Sequence, residues 1–133
     1  MRIGFDLDEI LADCLTAIIE FHNTVYQTSL RREQFKSYQF WDTWGGTPEE
    51  AVTKVYEFYR TEYARRMNPI PGAQEGVRIL KPKNELFVIT SRANDFADVT
   101  IQWTEENFPE VSRQMHFANH YAKNGTTKSK AQI

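Results

Sequence analysis

Arg2-Ile3-Gly4-Phe5-Asp6-Leu7-Asp8-Glu9-Ile10-Leu11-Ala12-Asp13 is the stretch that decides the fold. Its short apolar run, Ile3 to Phe5, ends in two acids one residue apart, and an amphipathic segment follows. The run reads as a buried strand with Asp6 at its carboxyl end, the edge at which open α/β sheets form their ligand crevices. Asp6 and Asp8 crowd two carboxylates together, and such crowding favours a bound cation. Hard oxygen donors of this kind suit magnesium.

Outward from that stretch, Leu11, Leu15, Ile18, Ile19, His22 and Val25 recur at helical spacing and predict a helix from about Asp13 to Tyr26. His22 reads as a packed or hydrogen-bonded histidine, and Cys14 as a small buried residue near the acids. From Thr28 to Met67 the texture changes, with no strand signal. A helical turn begins at Leu30-Arg31-Arg32-Glu33-Gln34-Phe35, then Tyr38, Phe40, Trp41 and Trp44 crowd together before Gly45-Gly46. Those aromatics read first as core and second as a platform for a ring. Thr47-Pro48-Glu49-Glu50 has the form of a cap, a proline at the first helical position and acids in the first turn. The helix it opens should carry Ala51, Val55, Phe58 and Tyr59 inward and run to about Arg66.

Pro69-Ile70-Pro71-Gly72 punctuates the return to a sheet pattern. A helix from Ala73 to Leu80, a turn at Lys81–Asn84, and a strand Leu86-Phe87-Val88-Ile89 follow. That strand ends in Thr90-Ser91-Arg92. Asn94 or Asp95 can cap the next helix, which carries Phe96, Val99 and Trp103 on one face and must stop by Phe108, before Pro109. Gln114 to Ala118 is a weaker third strand, and Lys128-Ser129-Lys130-Ala131-Gln132-Ile133 reads as the start of a helix. Strands alternating with helices predict parallel pairing with right-handed crossovers. Asp6 and Thr90 then fall at one edge of the sheet. There Thr90 and Ser91 offer hydroxyls and backbone N–H groups to a phosphate, near a helix start whose dipole favours an anion.

The pattern apolar-apolar-Asp-x-Asp-x-apolar-Leu at the start, Ile-Thr-Ser-Arg at 89–92 and the long insertion between them resemble the haloacid dehalogenase (HAD) superfamily of phosphatases. With Tyr-x-Phe-Trp at 38–41 and Pro-Ile-Pro-Gly-Ala at 69–73, the run looks most like the cytosolic 5'(3')-deoxyribonucleotidase type, truncated before the fourth motif. The resemblance implies a HAD-like Rossmannoid α/β core of parallel strands, three of them detectable, over 1–27 and 68–133. A small helical cap would be inserted at 28–67. It further implies that Asp6 is the nucleophile and Asp8 the general acid/base, with Asp6 and Asp8 also holding Mg2+. Thr90 would be the phosphate-binding hydroxyl, with Ser91 and Arg92 beside it on the substrate, and Lys130 the catalytic lysine, with Lys128 in reserve. Glu9 departs from the pattern, since the family usually has glycine there.

Composition bounds the rest. One domain of 133 residues can bury a proper core. A net charge of −2 gives no electrostatic footprint for a nucleic-acid polymer. Cys14 is the single cysteine, so neither an internal disulfide nor a cysteine-based zinc site is available, and a cytoplasmic location is expected. No apolar run approaches membrane-spanning length, and acids interrupt the N-terminus too early for a secretory signal. His116 and His120, four apart, make a zinc pair only on a helix, and here they bracket a strand end. The expected function is a magnesium-dependent phosphomonoesterase acting on a small phosphorylated substrate, nucleoside monophosphates among them. The alternative is a catalytically impaired HAD-like module that binds an anion or a protein partner. A three-stranded sheet would leave strand 1 as an exposed edge, which predicts self-association.

Overall fold

The computed structural model of the chain describes residues 1–111 and 115–119. Gln114, His120 and the lysines at 128 and 130 lie outside the described residues. The chain divides into two compact units, one of Met1–Asp13 with the segment from Asn68 onward, the other Cys14–Met67.

The first unit is built on a parallel sheet of order β1-β2-β3, with β1 at Arg2–Phe5, β2 at Glu85–Thr90 and β3 at Met115–Phe117. Phe5 pairs with Val88, and Thr90 pairs with Phe117, so all three strands end at one edge. Alternation along β2 buries Leu86, Val88 and Thr90 and leaves Phe87 and Ile89 half-buried on the other face. Opposite Phe87 stands Gly4, where a Cβ would come within 3.0 Å of the Phe87 ring and 3.2 Å of the Ile89 methyl. Here glycine serves a close approach of side chains over the strand.

Among the described residues, two α-helices belong to this unit. Helix α5, Ala73–Leu80, follows Gly72, whose φ of 85° places it in the left-handed region. It ends against Lys81-Pro82, where proline cannot continue the ladder. Helix α6, Ala97–Asn107, buries Thr100, Trp103 and Thr104 and stops at Phe108 as Pro109 requires. Trp103 and Phe108 close the core with ring centroids 5.7 Å apart.

The second unit is helical throughout its regular elements: α1 Cys14–Val25, α2 Trp41–Trp44, α3 Pro48–Tyr59 and α4 Glu62–Arg65. Helix α1 therefore groups with the helices that follow it, where the sequence reading placed residues 14–27 with the sheet. Its buried face is also rotated from the expected one. Ala17, Ile18, Phe21 and His22 are buried, whereas Val25 is 52% exposed. Phe21 takes the central position, edge-on to Tyr26, Phe58 and Tyr63 at 6.2, 5.7 and 6.1 Å. A large aromatic buries more area than valine and decides which way the helix turns.

Helix α3 starts as its sequence predicts. Thr47 is extended, its hydroxyl accepts the Glu50 N–H at 3.2 Å, and Pro48 sits at the first position. It ends at Tyr59, short of the expected Arg66, because the Thr61 hydroxyl donates to the Phe58 carbonyl at 2.6 Å. A threonine that bonds the backbone locally competes with the helix ladder. The turn expected at Leu30–Phe35 is a single 3₁₀ turn over Arg32–Gln34.

The expected aromatic cluster forms in part. Phe40 packs on Phe35, Tyr38 and Trp44 at 5.8, 6.3 and 5.0 Å, while Tyr38 itself is 64% exposed. Trp44 lies parallel to His22 at 4.6 Å, and Tyr26 stacks on the same imidazole at 4.8 Å. His22 is bonded at both ring nitrogens. Lys54 Nζ lies 3.0 Å from Nε2 and can only donate, so Nδ1 carries the proton and donates to Thr28 Oγ1 at 2.8 Å. Thr28 passes the bond on to Asn23 Oδ1 at 2.8 Å.

Candidate active site

Asp6 is the first residue beyond β1 and Thr90 the last of β2. Parallel pairing of the two strands brings both to the same sheet edge. There the chain makes a compact turn rather than a continued strand. The Leu7 carbonyl accepts the N–H groups of Ile10, Leu11 and Ala12 at 3.3, 2.8 and 2.9 Å, and Glu9 N–H donates to the Ala12 carbonyl at 2.8 Å. Leu7, Leu11 and Ala12 are buried beneath the turn and anchor it.

Glu9 holds φ at 65°. The backbone therefore keeps the left-handed conformation for which glycine is suited, and a side chain carries the strain, on the order of 1 kcal/mol. Glutamate in this place leaves the turn intact.

The acids face different surroundings. Asp6 is exposed, and its Oδ1 accepts the Leu7 N–H at 2.8 Å, which fixes the carboxylate at the strand end. Asp8 is held by a fork: Arg92 Nη2 donates to Oδ1 at 2.6 Å and Arg92 Nε to Oδ2 at 3.1 Å. The Arg92 side chain is 2% exposed and that of Asp8 23%. The third corner is Thr100 on α6, whose Oγ1 accepts from Arg92 Nη1 at 2.9 Å. The pair ties the loop after β1 to the loop after β2. Arg92, expected on the substrate, is thus turned inward to Asp8 and Thr100. A buried guanidinium needs such an anion and such acceptors to be held there.

The loop after β2 is itself pinned. The Arg92 N–H donates to Thr90 Oγ1 at 3.2 Å, the Ala118 N–H to the Thr90 carbonyl at 2.8 Å, and the Asn119 N–H to the Arg92 carbonyl at 3.2 Å. Asn119 is buried, with φ at 61°, and its Oδ1 accepts the Asn94 N–H at 2.8 Å. Neither Asn94 nor Asp95 caps the turn and helix that follow. A first-turn donor is instead satisfied by a residue 25 positions away.

Thr90 at the end of β2 and Asp6, Asp8, Ser91 and Arg92 on the loops thus sit at one sheet edge, while Lys130 and Lys128 lie outside the described residues. Among the described residues no group of three His, Cys, Asp or Glu side chains could hold a metal. A cation at this edge would draw on the Asp6 carboxylate and on the main chain at Asp8, since the charge of the Asp8 carboxylate is already paired with the Arg92 guanidinium. That set still suits magnesium, which takes one or two protein oxygens and completes its shell with water and phosphate. His116 packs edge-on to Phe87 at 5.7 Å, a packing role. Thr100 and Asn119 escaped the sequence reading. Thr100 left a signal, since it falls in the stripe Phe96, Trp103, Thr104 and so is a hydroxyl on the buried face of its helix.

Residues 1–123 match the model of the family described as "5' nucleotidase, deoxy (Pyrimidine), cytosolic type C protein". A 5'(3')-deoxyribonucleotidase of Bacillus subtilis (strain 168) is 30% identical over 111 residues, 82% of this chain and 62% of that protein. A protein of the same name from Bacillus phage SPbeta is matched to the same extent, 30% over 111 residues. The chain thus spans about three fifths of the length of these relatives. Among solved structures, the HAD-hydrolase YfnB of Bacillus subtilis, described as bound to magnesium, superposes with a TM-score of 0.56 at 14% identity. It covers 89% of this chain and 66% of that one, and the likeness is one of fold.

Proposed function

We propose, for a chain that belongs to the 5' nucleotidase, deoxy (pyrimidine), cytosolic type C family, a magnesium-dependent phosphomonoesterase activity on nucleoside monophosphates. The observation that carries the proposal is the convergence of Asp6, Asp8, Thr90 and Ser91 at the carboxyl edge of two parallel strands. Asp6, exposed at the strand end, attacks phosphorus, and the bond to the leaving oxygen breaks as that oxygen takes a proton from Asp8. Water then attacks the aspartyl-phosphate, Asp8 accepts its proton, and the bond between phosphorus and Asp6 breaks to release inorganic phosphate. Thr90 and Ser91 bind and orient the phosphoryl oxygens by hydroxyl and backbone donors. Magnesium, when bound at the Asp6 carboxylate and the main-chain carbonyl of Asp8, supplies charge neutralisation for the phosphoryl group. In the same reading the family's lysine falls to Lys130, and the single thiol of Cys14 suits a reducing cytoplasm.

Asp6→Asn should abolish turnover of a nucleoside monophosphate and of an aryl phosphate alike. Wild-type rates in that variant would end the nucleophile assignment. The hold of Arg92 on both Asp8 oxygens favours a second reading, a module that binds an anion or a partner without turnover. A magnesium titration followed by the fluorescence of the three tryptophans separates the two. Binding at millimolar concentration or below that disappears in Asp6→Asn supports the enzyme, and no response supports the module.

β1 pairs with β2 alone among the described strands, and Arg2 is its sole charged residue. An edge of that kind invites another strand. Self-association of the chain through β1 is therefore part of the proposal, and a single monomeric species on sedimentation at micromolar concentration would remove it.

A further inference from the structure

We infer that Arg92 is the residue that positions Asp8 for proton transfer, with Thr100 fixing Arg92 in turn. The inference rests on the phosphatase reading above and deepens it. Arg92 comes to Asp8 from the protein interior: its side chain is 2% exposed, whereas Asp8 keeps 23% and so presents a side to the solvent edge. The fork uses one acceptor direction on each carboxylate oxygen, at 2.6 and 3.1 Å. A carboxylate has about four such directions, so each oxygen keeps one for a proton or a leaving oxygen. A fork of two parallel bonds fixes the plane of the carboxylate as a single contact does not. Nη1, the remaining terminal nitrogen of the guanidinium, is bonded to Thr100 at 2.9 Å from a helix of the core, so the fork cannot swing. The Arg92 backbone is clamped as well, its N–H to Thr90 Oγ1 and its carbonyl to the Asn119 N–H. Asp8 itself follows Leu7, which is fully buried. The acid is therefore held from two sides, and misplacement of a reacting group by about 1 Å can cost on the order of a hundredfold in rate.

A purely structural arginine and a positioning one are separated by the leaving group. Breaking the bond to phosphorus sends an electron pair to the leaving oxygen. A nucleoside alkoxide must take a proton from Asp8 as it departs, whereas a nitrophenolate leaves as a stable anion. The ratio kcat/KM reports that first step for both. In the full chain with magnesium, Arg92→Gln should lower kcat/KM for a nucleoside monophosphate at least tenfold more than for p-nitrophenyl phosphate. Arg92→Lys, which keeps the charge without the fork, should show the same selective loss. Thr100→Val removes only the support of the fork and leaves the buried pair in place. It should give a smaller loss of the same selectivity, so the test survives if an Arg92 variant fails to fold. Equal losses on both substrates, or none, in a cooperatively folded variant would overturn the positioning role and leave the phosphatase reading standing. Hydrolysis of neither substrate by the wild type, or wild-type rates in Asp6→Asn, would overturn that reading and the inference with it.

Discussion

Each unit of the molecule draws a cation against an acceptor, half-buried Asp8 in one and buried His22 in the other, and the two do so differently. In the sheet unit, Arg92 meets a carboxylate, with two directed bonds and a hydroxyl at the back. In the helical unit, Lys54 meets a neutral imidazole, with the Tyr26 ring 4.4 Å and the Trp44 ring 5.2 Å from its nitrogen. The first arrangement cancels charge and fixes direction. The second leaves the charge uncancelled and spreads its stabilisation over aromatic faces, which hold a cation but define its angle poorly. A fork is what a site needs to aim a carboxylate, whereas a stacked ammonium suits a helix-to-helix contact such as that of α1 with α3.

Removal of each cation should separate the two by size. Arg92→Met strands a partly buried carboxylate and should cost about 3 kcal/mol, the low end for a broken buried pair because Asp8 retains access to water. Lys54→Met gives up one hydrogen bond and a cation over rings and should cost about 1 kcal/mol. Urea melts of the two variants give both numbers, and equal losses would break the comparison.

Acid should distinguish them next. Burial, and then the charge of Lys54, lower the His22 pKa from 6.5 to about 4. Between those values the unfolded chain binds a proton that the folded chain refuses, so stability rises with pH there. This contribution is complete above pH 6.5 and is lost as the pH falls toward 4. His22→Gln should flatten that part of the pH dependence in urea melts at pH 7 and 4.5, while Arg92→Met should leave it in place. A slope unchanged in His22→Gln would remove histidine as its source.

The smallest effect sharpens the sheet side alone. Glu9→Gly relieves the strain at a φ of 65° but loosens the unfolded chain, and the net gain should be about 0.5 kcal/mol. A loss of stability in thermal melts would mean that the Glu9 side chain contributes more than its backbone costs.

Elements whose signals are local were legible from residue patterns. Thr47-Pro48-Glu49-Glu50 opened α3, Pro82 closed α5 over Ala73–Leu80, and the apolar run 86–89 became the middle of β2. Asp6-x-Asp8 and Thr90-Ser91 drew attention to the sheet edge because each ends a strand. What escaped was fixed by tertiary contact. The face of α1 turned to suit Phe21, because three rings were available to it from elsewhere in the unit. Arg92 stands next to Ser91 in sequence, and nothing local says that its guanidinium runs inward to an acid 84 residues earlier. The left-handed turn at Glu9 left no signal in the residue itself, because glutamate does not announce it as glycine would; only the family's usual glycine at that place pointed to it.

The bond from Asn119 to the start of the α6 segment has a consequence for how the chain assembles. Early amides of a helix ordinarily stay hydrated until some side chain close in sequence reaches them. Here that role falls to an asparagine two residues past β3, beyond the whole helix. The first amide of segment 94–107 is thus satisfied from outside the segment, and Asn119 is seated jointly by Asn94 and by the Arg92 carbonyl. The bond joins the two ends of this crossover, and the expected outcome is that they become protected together. Hydrogen exchange at Asn94 would then report the arrival of β3 rather than the growth of the helix.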